Sequence, residues 1–135
     1  MIHYQQETDL TPEEFISVLE RSTLGERRPI GNPERIKSML KHANLVITAR
    51  ENGKLIGVAR SLTDFAFCTY MSDLAVDERH QRQGIGKELI RHTKSLTPNA
   101  KLILLAAPKA VDYYPHIGMT RHEFCYILDR IEDIS

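Results

Sequence analysis

Residues 80–90 read HQRQGIGKELI, and the two glycines of this stretch, Gly84 and Gly86, lie between a predicted strand and a predicted helix. The lysine and the apolar residues that follow at helical spacing predict a loop that opens a helix. The first N–H groups of a helix have no partner inside it, and the helix dipole adds partial positive charge. Such a loop can therefore bind phosphate, and the neighbouring residues decide which phosphate ligand it fits.

A strand–helix–strand unit surrounds the loop. Residues 70–76 are rich in strand formers, and Ile85, Leu89, Ile90 and Leu96 place one apolar stripe on the helix. Residues 101–107 form a continuous apolar run, which predicts a strand that is covered on both faces. The loop thus lies at the carboxyl end of the first strand, where open α/β sheets bind ligands.

The rest of the chain predicts strands and two further helices. Ile2–Gln6 predicts an edge strand, and Thr11-Pro12 and Asn32-Pro33 each predict a helix start, the first helix running to about Leu24. Asn52-Gly53 joins two strand-like runs, residues 45–50 and 55–62, as a hairpin. Without a repeat or a linker, we predict a single domain over residues 1–135 with a mixed α/β sheet.

Composition limits the classes of function. Of 135 residues, 41% are hydrophobic and 27% are charged, and the formal net charge is zero, so neither a nucleic-acid nor a membrane partner is expected. A short basic cluster within residues 79–87 is the only feature that favours nucleic acid. The two cysteines form no CxxC pair and the histidines show no ligand spacing, which predicts a reduced, cytoplasmic protein without a metal.

Two common phosphate loops do not fit the glycine stretch. A P-loop requires a glycine five positions before Gly86, where the chain has Gln81, and a hydroxyl residue after Lys87, where it has Glu88. A dinucleotide loop requires a third glycine at the position of Leu89. Both types therefore lack residues that their chemistry needs.

The pattern that remains is Q-x-x-G-x-G, from Gln81 to Gly86, and it resembles the acyl-CoA pyrophosphate loop of the GNAT superfamily of N-acetyltransferases. A second segment, residues 110–119, resembles the family's A-x-x-x-Y-x-x-x-G-F motif, with Tyr114 in the place of the tyrosine that lies near the CoA sulfur. The predicted order of elements, ending in a final strand pair, also fits from residue 1 to about 128. Taken alone, the glycines could form a plain helix-opening turn and Tyr114 could be a core aromatic.

The resemblance implies a GNAT acyl-CoA N-acyltransferase fold, with a mostly antiparallel central sheet and a splayed parallel strand pair at the CoA site. It implies transfer of an acetyl group from acetyl-CoA to a primary amine, on a small molecule or a protein, without a metal. Because homodimers are common among related proteins, the resemblance also allows a homodimer. The implied cofactor contacts, besides Tyr114, are Leu74, Ala75, Val76, Gln81, Arg82, Gln83, Gly84, Ile85, Gly86 and Lys87.

Three residues are implied in catalysis. The backbone N–H of Val76 would polarise the thioester carbonyl, and Tyr114, rather than the more core-like Tyr113, would protonate the departing thiolate. The glutamate that commonly acts as general base in the family has no counterpart, so Asp73 or an ordered water is the candidate. Asp73 could equally be a polar residue satisfied by nearby backbone N–H groups.

Two residues are candidates for binding the acceptor. Arg27 and Arg28 lie in a Gly/Pro-bounded loop, residues 24–32, that the implied fold places over the acceptor entrance. They favour an amine that carries a carboxylate, although both side chains could instead point to water. The asparagine that many members place after the buried strand is replaced by Ala107-Pro108. A non-catalytic acyl-CoA-binding or protein-interaction module of the same fold is the alternative function.

Overall fold

A computed structural model describes all residues, 1–135. The chain forms two compact units, residues 1–105 and 106–135. The first unit holds a five-stranded sheet whose strands follow their sequence order. Neighbouring strands are antiparallel except for the last two, which are parallel, so the sheet is mixed as predicted. The elements are β1 Ile2–Gln6, α1 Pro12–Arg21, α2 Pro33–His42, β2 Leu45–Glu51, β3 Lys54–Thr63, β4 Cys68–Val76, α3 Ile85–Leu96 and β5 Lys101–Leu104.

Both predicted N-caps are present. The Thr11 side chain accepts from the N–H of Glu14 at 3.1 Å, and the Asn32 side chain accepts from the N–H of Arg35 at 3.2 Å. Helix α1 ends at Arg21, earlier than predicted, and a 3-10 turn at Leu24–Arg27 follows. The break coincides with left-handed backbone at Thr23 (φ 71°), a conformation that cannot continue an α-helix and is strained for a β-branched residue.

The hairpin between β2 and β3 is confirmed. Asn52 and Gly53 both have positive φ, 51° and 82°, and Glu51 pairs directly with Lys54. Two successive left-handed residues make the type I′ turn that matches the twist of the strands.

Helices cover both faces of the sheet. One core cluster includes Phe15 and Leu19 of α1 with Ile36 of α2, and the other includes Leu89 of α3. Gly57 brings α3 close to β3, because a Cβ there would lie 3.2 Å from the Leu89 side chain. The apolar stripe of α3 is buried at Ile85 and Leu89, whereas Leu96, the last residue of the helix, is exposed.

The prediction for β5 was wrong in one respect. This strand has four residues and pairs only with β4, at the edge of the sheet, and it is not covered on both faces. Ile103 is 43% exposed and Leu105 is 48% exposed. A continuous apolar run indicates a strand but does not determine which neighbours cover it, since that depends on distant parts of the chain.

The second unit contains little regular structure. It has 3-10 turns at Pro108–Ala110 and Ile131–Asp133 and one short helix, α4, at Tyr113–His116. The predicted final strand pair was wrong, because no strand follows Leu104. Residues 124–128 have strand propensity, but a strand also requires a neighbouring strand with which its backbone can pair. No helix in the chain has the length and apolar character needed to cross a membrane.

Candidate active site

Strand β4 has a β-bulge on its β3 side and an unpaired stretch on its β5 side. Arg60 pairs with Asp73 and the next residue of β3, Ser61, pairs with Met71, so Ser72 is the extra residue. On the other side, β4 pairs with β5 only from Cys68 to Met71. From Ser72 to the end of the strand, β4 therefore has β3 as its only strand neighbour.

The open edge of β4 presents free backbone groups. The N–H of Asp77 donates to the carbonyl of Ile56 on β3 at 2.8 Å. Because successive residues of a strand direct their N–H and C=O groups to opposite sides, those of Leu74 and Val76 face the open edge. The Val76 carbonyl accepts from Nε2 of Gln81 at 3.0 Å, which ties the glycine loop to the end of the strand.

The glycine loop has two left-handed residues, Arg82 (φ 64°) and Gly84 (φ 82°). A Cβ at Gly84 would meet nothing within 4 Å, so the backbone conformation rather than crowding requires glycine there. Left-handed backbone before a helical turn makes a concave anion site known as a nest. The side chains of Arg82 and Lys87 are exposed beside it.

Three N–H groups at the start of α3 have no acceptor in the chain. The first backbone hydrogen bond of the helix runs from Glu88 N–H to the Gly84 carbonyl at 3.0 Å. The N–H groups of Ile85, Gly86 and Lys87 precede it and are unpaired. The loop and the first turn of α3 thus provide several aligned donors with the positive end of a helix dipole.

A buried carboxylate holds the base of the loop. Asp77 forms an ion pair with Arg21 of α1 and accepts from the N–H of Arg79 at 2.9 Å. Nη2 of Arg21 also donates to the Leu55 carbonyl at 2.8 Å. Burial alone would raise the pKa of Asp77, but the N–H of Arg79 and the Arg21 guanidinium outweigh it and lower the pKa. No motif or spacing in the sequence indicates this pair.

Asp73 is enclosed by two arginines. Nε of Arg28 donates to one carboxylate oxygen, and Nε of Arg60 donates to the other. Arg28 also donates to the Ser72 carbonyl at 2.7 Å, and Arg60 donates to the Ser72 hydroxyl at 2.8 Å and to the Met39 carbonyl at 3.1 Å. The bulge makes this possible, since Ser72 and Asp73 both reach the Arg60 guanidinium. We call Asp73, Arg28 and Arg60 the Asp73 cluster.

The Asp73 cluster disfavours the predicted role of Asp73 as general base. The Asp73 side chain is fully buried, and each of its carboxylate oxygens already accepts an N–H from a guanidinium. Because both oxygens are engaged and shielded from solvent, an acceptor amine cannot reach a free carboxylate oxygen there. The hydrogen-bond donors to Asp73 are therefore guanidinium groups. They are not the backbone N–H groups that the sequence suggested as the alternative.

The two candidate acceptor residues have different surroundings. Arg27 is exposed, and its side chain makes no hydrogen bond or ion pair. Arg28 extends to β4, and 22% of its side chain is exposed. Of the two candidates, Arg28 is engaged with β4 and Arg27 points to solvent.

Tyr114 lies in the second unit, in α4. Burial, followed by the neighbouring Tyr113, raises the pKa of its hydroxyl. The two rings meet edge to face with centroids 5.2 Å apart. Tyr113 is exposed, so its prediction as a core residue was wrong. Gly118 ends the turn with left-handed backbone, φ 101°.

A sequence model described as an acetyltransferase (GNAT) domain matches residues 8–127, which include both the glycine loop and Tyr114. The chain belongs to the GNAT family of acetyltransferases. This match confirms the resemblance seen in the sequence. The parallel β4–β5 pair of the mixed sheet agrees with the fold that it implied.

Other proteins are similar to this GNAT chain. A chloroplastic GCN5-related N-acetyltransferase of Arabidopsis thaliana is 35% identical over 72 residues, 51% of this chain and 28% of the relative. A histone acetyltransferase of Glycine max is 29% identical over 106 residues, 68% of this chain and 45% of the relative. This chain therefore spans less than half the length of these two relatives.

The fold is also similar to solved structures. A GNAT-family acetyltransferase from Streptococcus pneumoniae superposes with a TM-score of 0.77 and 20% identity, covering 96% of this chain and all of that one. At this identity the likeness establishes the fold alone.

Proposed function

We propose that this GNAT protein transfers an acetyl group from acetyl-CoA to a primary amine on a small molecule or a protein. The observation that carries the proposal is the continuity of two binding features. The open edge of β4 leads directly through Val76 and Asp77 into a loop whose backbone N–H groups suit an anion. A ligand with a pyrophosphate at one end and an extended amide chain at the other matches both features.

The residues present fit acetyl-CoA. The N–H groups of Ile85, Gly86 and Lys87 would bind the pyrophosphate, with the exposed Arg82 and Lys87 side chains adding charge. The open backbone of Leu74 and Val76 would hydrogen-bond the amides of the pantetheine arm, as an added strand does. Gln81 and Asp77 hold the loop against the strand.

Bound acetyl-CoA supplies the acetyl thioester, and the chain's own groups orient and polarise it. The N–H groups of Leu74 and Val76 both face the edge, so either can stabilise negative charge that develops on the carbonyl oxygen. Tyr114 would hold the proton that the departing thiolate takes up. The raised pKa of Tyr114 keeps this hydroxyl protonated at neutral pH.

The acceptor amine loses its proton without a carboxylate base. Amines of this type have a pKa near 10, so only about one molecule in a thousand is neutral at pH 7. Because Asp73 is paired with two arginines, we assign this proton to water rather than to Asp73.

Release of CoA from acetyl-CoA over a panel of primary amines tests the proposal. We expect turnover with at least one amine, and about a 100-fold lower kcat in Tyr114→Phe with little change in acetyl-CoA affinity. Tyr113→Phe, the adjacent edge-to-face partner, is the matched control and should retain turnover. Full activity in Tyr114→Phe would assign the proton to water instead.

A non-catalytic acyl-CoA-binding module is the second candidate, and one observation favours it: the only carboxylate inside the β4 strand is unavailable as a base. Binding of acetyl-CoA without turnover on any amine would support it. A cytoplasmic location and the absence of nucleic-acid and membrane partners stay predictions, as does the possible homodimer.

A further inference from the structure

The Asp73 cluster contains more positive than negative charge. Two guanidinium groups share one carboxylate, and neither Arg28 nor Arg60 forms an ion pair with any other carboxylate. The cluster therefore has a formal surplus of one positive charge. An uncompensated charge held away from water is costly, so the cluster favours an additional anion.

The surplus charge is accessible at only one of the two arginines. The side chains of Asp73 and Arg60 are 0% and 6% exposed, whereas that of Arg28 is 22% exposed. Arg28 uses three of its five N–H donors, on Asp73 and on the carbonyls of Arg27 and Ser72. One N–H remains on each terminal nitrogen, and carboxylates commonly bind such pairs of donors.

The position of Arg28 relates it to the proposed acetyl site. Its contact on β4, Ser72, is the first residue beyond the pairing with β5. The free N–H groups of Leu74 and Val76 follow along the same strand. At the usual rise per residue they lie about 7 and 13 Å from Ser72. Arg28 thus contacts β4 where its pairing with β5 ends and the open edge begins, and the acetyl group would lie along this edge.

We propose that Arg28, oriented by Asp73, binds an anionic group of the acceptor, which is therefore an amine that also carries a carboxylate. The inference rests on the proposed function and adds the class of its substrate. Arg28 acts here as a specificity residue, and Asp73 acts through it as a positioning residue. The competing interpretation is that Arg28 only fastens the loop after α1 to β4.

Matched acceptor pairs test this inference in the wild-type protein. We would compare 4-aminobutanoate and 6-aminohexanoate with their carboxamides, since each pair differs in charge but closely matches in length and amine pKa. With saturating acetyl-CoA and CoA release as the readout, we expect a preference in kcat/KM of about 10- to 100-fold for the carboxylates. The preference should lie mainly in KM, because the contact is made in ground and transition states alike.

Variants locate the preference. Arg28→Gln keeps an N–H donor on a shorter side chain and removes the charge, and should reduce the preference below about threefold. Arg28→Lys should restore part of it. Arg35→Gln removes one positive charge from an exposed position on α2 and should keep the full preference. A melting curve for each variant establishes that it is folded.

The outcomes separate this inference from the proposed function. Equal acetylation of carboxylates and carboxamides by the wild type would overturn the inference and leave the acetyltransferase function standing. An unchanged preference in folded Arg28→Gln would show that Arg28 only fastens the loop. Binding of acetyl-CoA without turnover on any amine would instead reject the proposed function, and this inference with it.

Discussion

Two buried aspartates, four residues apart, anchor the two ends of the open edge of β4. Asp77 has one arginine and one backbone N–H as partners, so its charge is balanced. Asp73 has two arginines, so its cluster is positively charged. The Asp77 pair fastens α1 to the base of the glycine loop, whereas the Asp73 cluster fastens the loop after α1 to the bulge. The balanced pair thus suits a support, and the unbalanced cluster suits a binding site.

Removing the negative charge from each aspartate gives the largest expected difference. Asp73→Asn leaves two guanidinium groups without a counter-charge and should lower the free energy of unfolding by about 3 to 5 kcal/mol. Asp77→Asn is the matched variant and should cost about 1 to 2 kcal/mol. It leaves only one guanidinium without a counter-charge, and the Arg21 side chain is more exposed to water than that of Arg60. Urea unfolding at pH 7 measures both. Equal losses would mean that the second arginine contributes nothing to the difference.

The pairing of Asp73 also predicts how the rate depends on pH. Without a carboxylate base, kcat/KM should follow the neutral fraction of the amine and rise about tenfold per pH unit between pH 6.5 and 8.5. Tyr114 should cause no decline in this range, because burial, and after it Tyr113, raises its pKa. A plateau with an apparent pKa near 6 or 7 would indicate a protein base that the present assignment lacks.

A third cluster has more negative than positive charge, and a variant in it has a smaller expected effect. Arg50 binds two carboxylates, Glu7 and Glu14, and the Arg50 hydrogen bonds hold the pKa of Glu7 at about 2. A pKa below the unfolded value means stabilisation that is complete above about pH 5 and is lost as the pH falls towards 2. Glu7→Gln should therefore cost about 2 kcal/mol at pH 7 and almost nothing at pH 2. A difference that does not shrink on acidification would contradict this assignment.

Local signals in the sequence predicted much of the fold. The helix starts at Thr11 and Asn32 and the hairpin at Asn52-Gly53 depend on a few adjacent residues, and all three are present. The cover of β5 and the final strand pair depend on contacts between distant segments, and both predictions were wrong. Apolar content indicates that a segment favours burial, but not which segment buries it.

The candidate site divides in the same way. The glycine loop was recognisable because its residues are consecutive and its conformation is local. The Asp73 cluster joins residues from three parts of the chain through a bulge at Ser72, and no spacing in the sequence marks that bulge. The sequence therefore leaves Asp73 as a candidate base, whereas in the structure Arg28 and Arg60 occupy both of its oxygens.

The most direct test of the account is the effect of acetyl-CoA on the melting temperature of three proteins. At about 100 times its Kd, acetyl-CoA should raise the wild-type melting temperature by about 5 to 10 °C. Gly84→Asp places a side chain and a negative charge in the proposed pyrophosphate site and should abolish the rise. Gly53→Asp is the matched control, since Gly53 has the same φ of 82° and equally open surroundings but lies in the β2–β3 turn. We predict a lower baseline but an intact rise for Gly53→Asp, and an equal rise in Gly84→Asp and wild type would contradict the account.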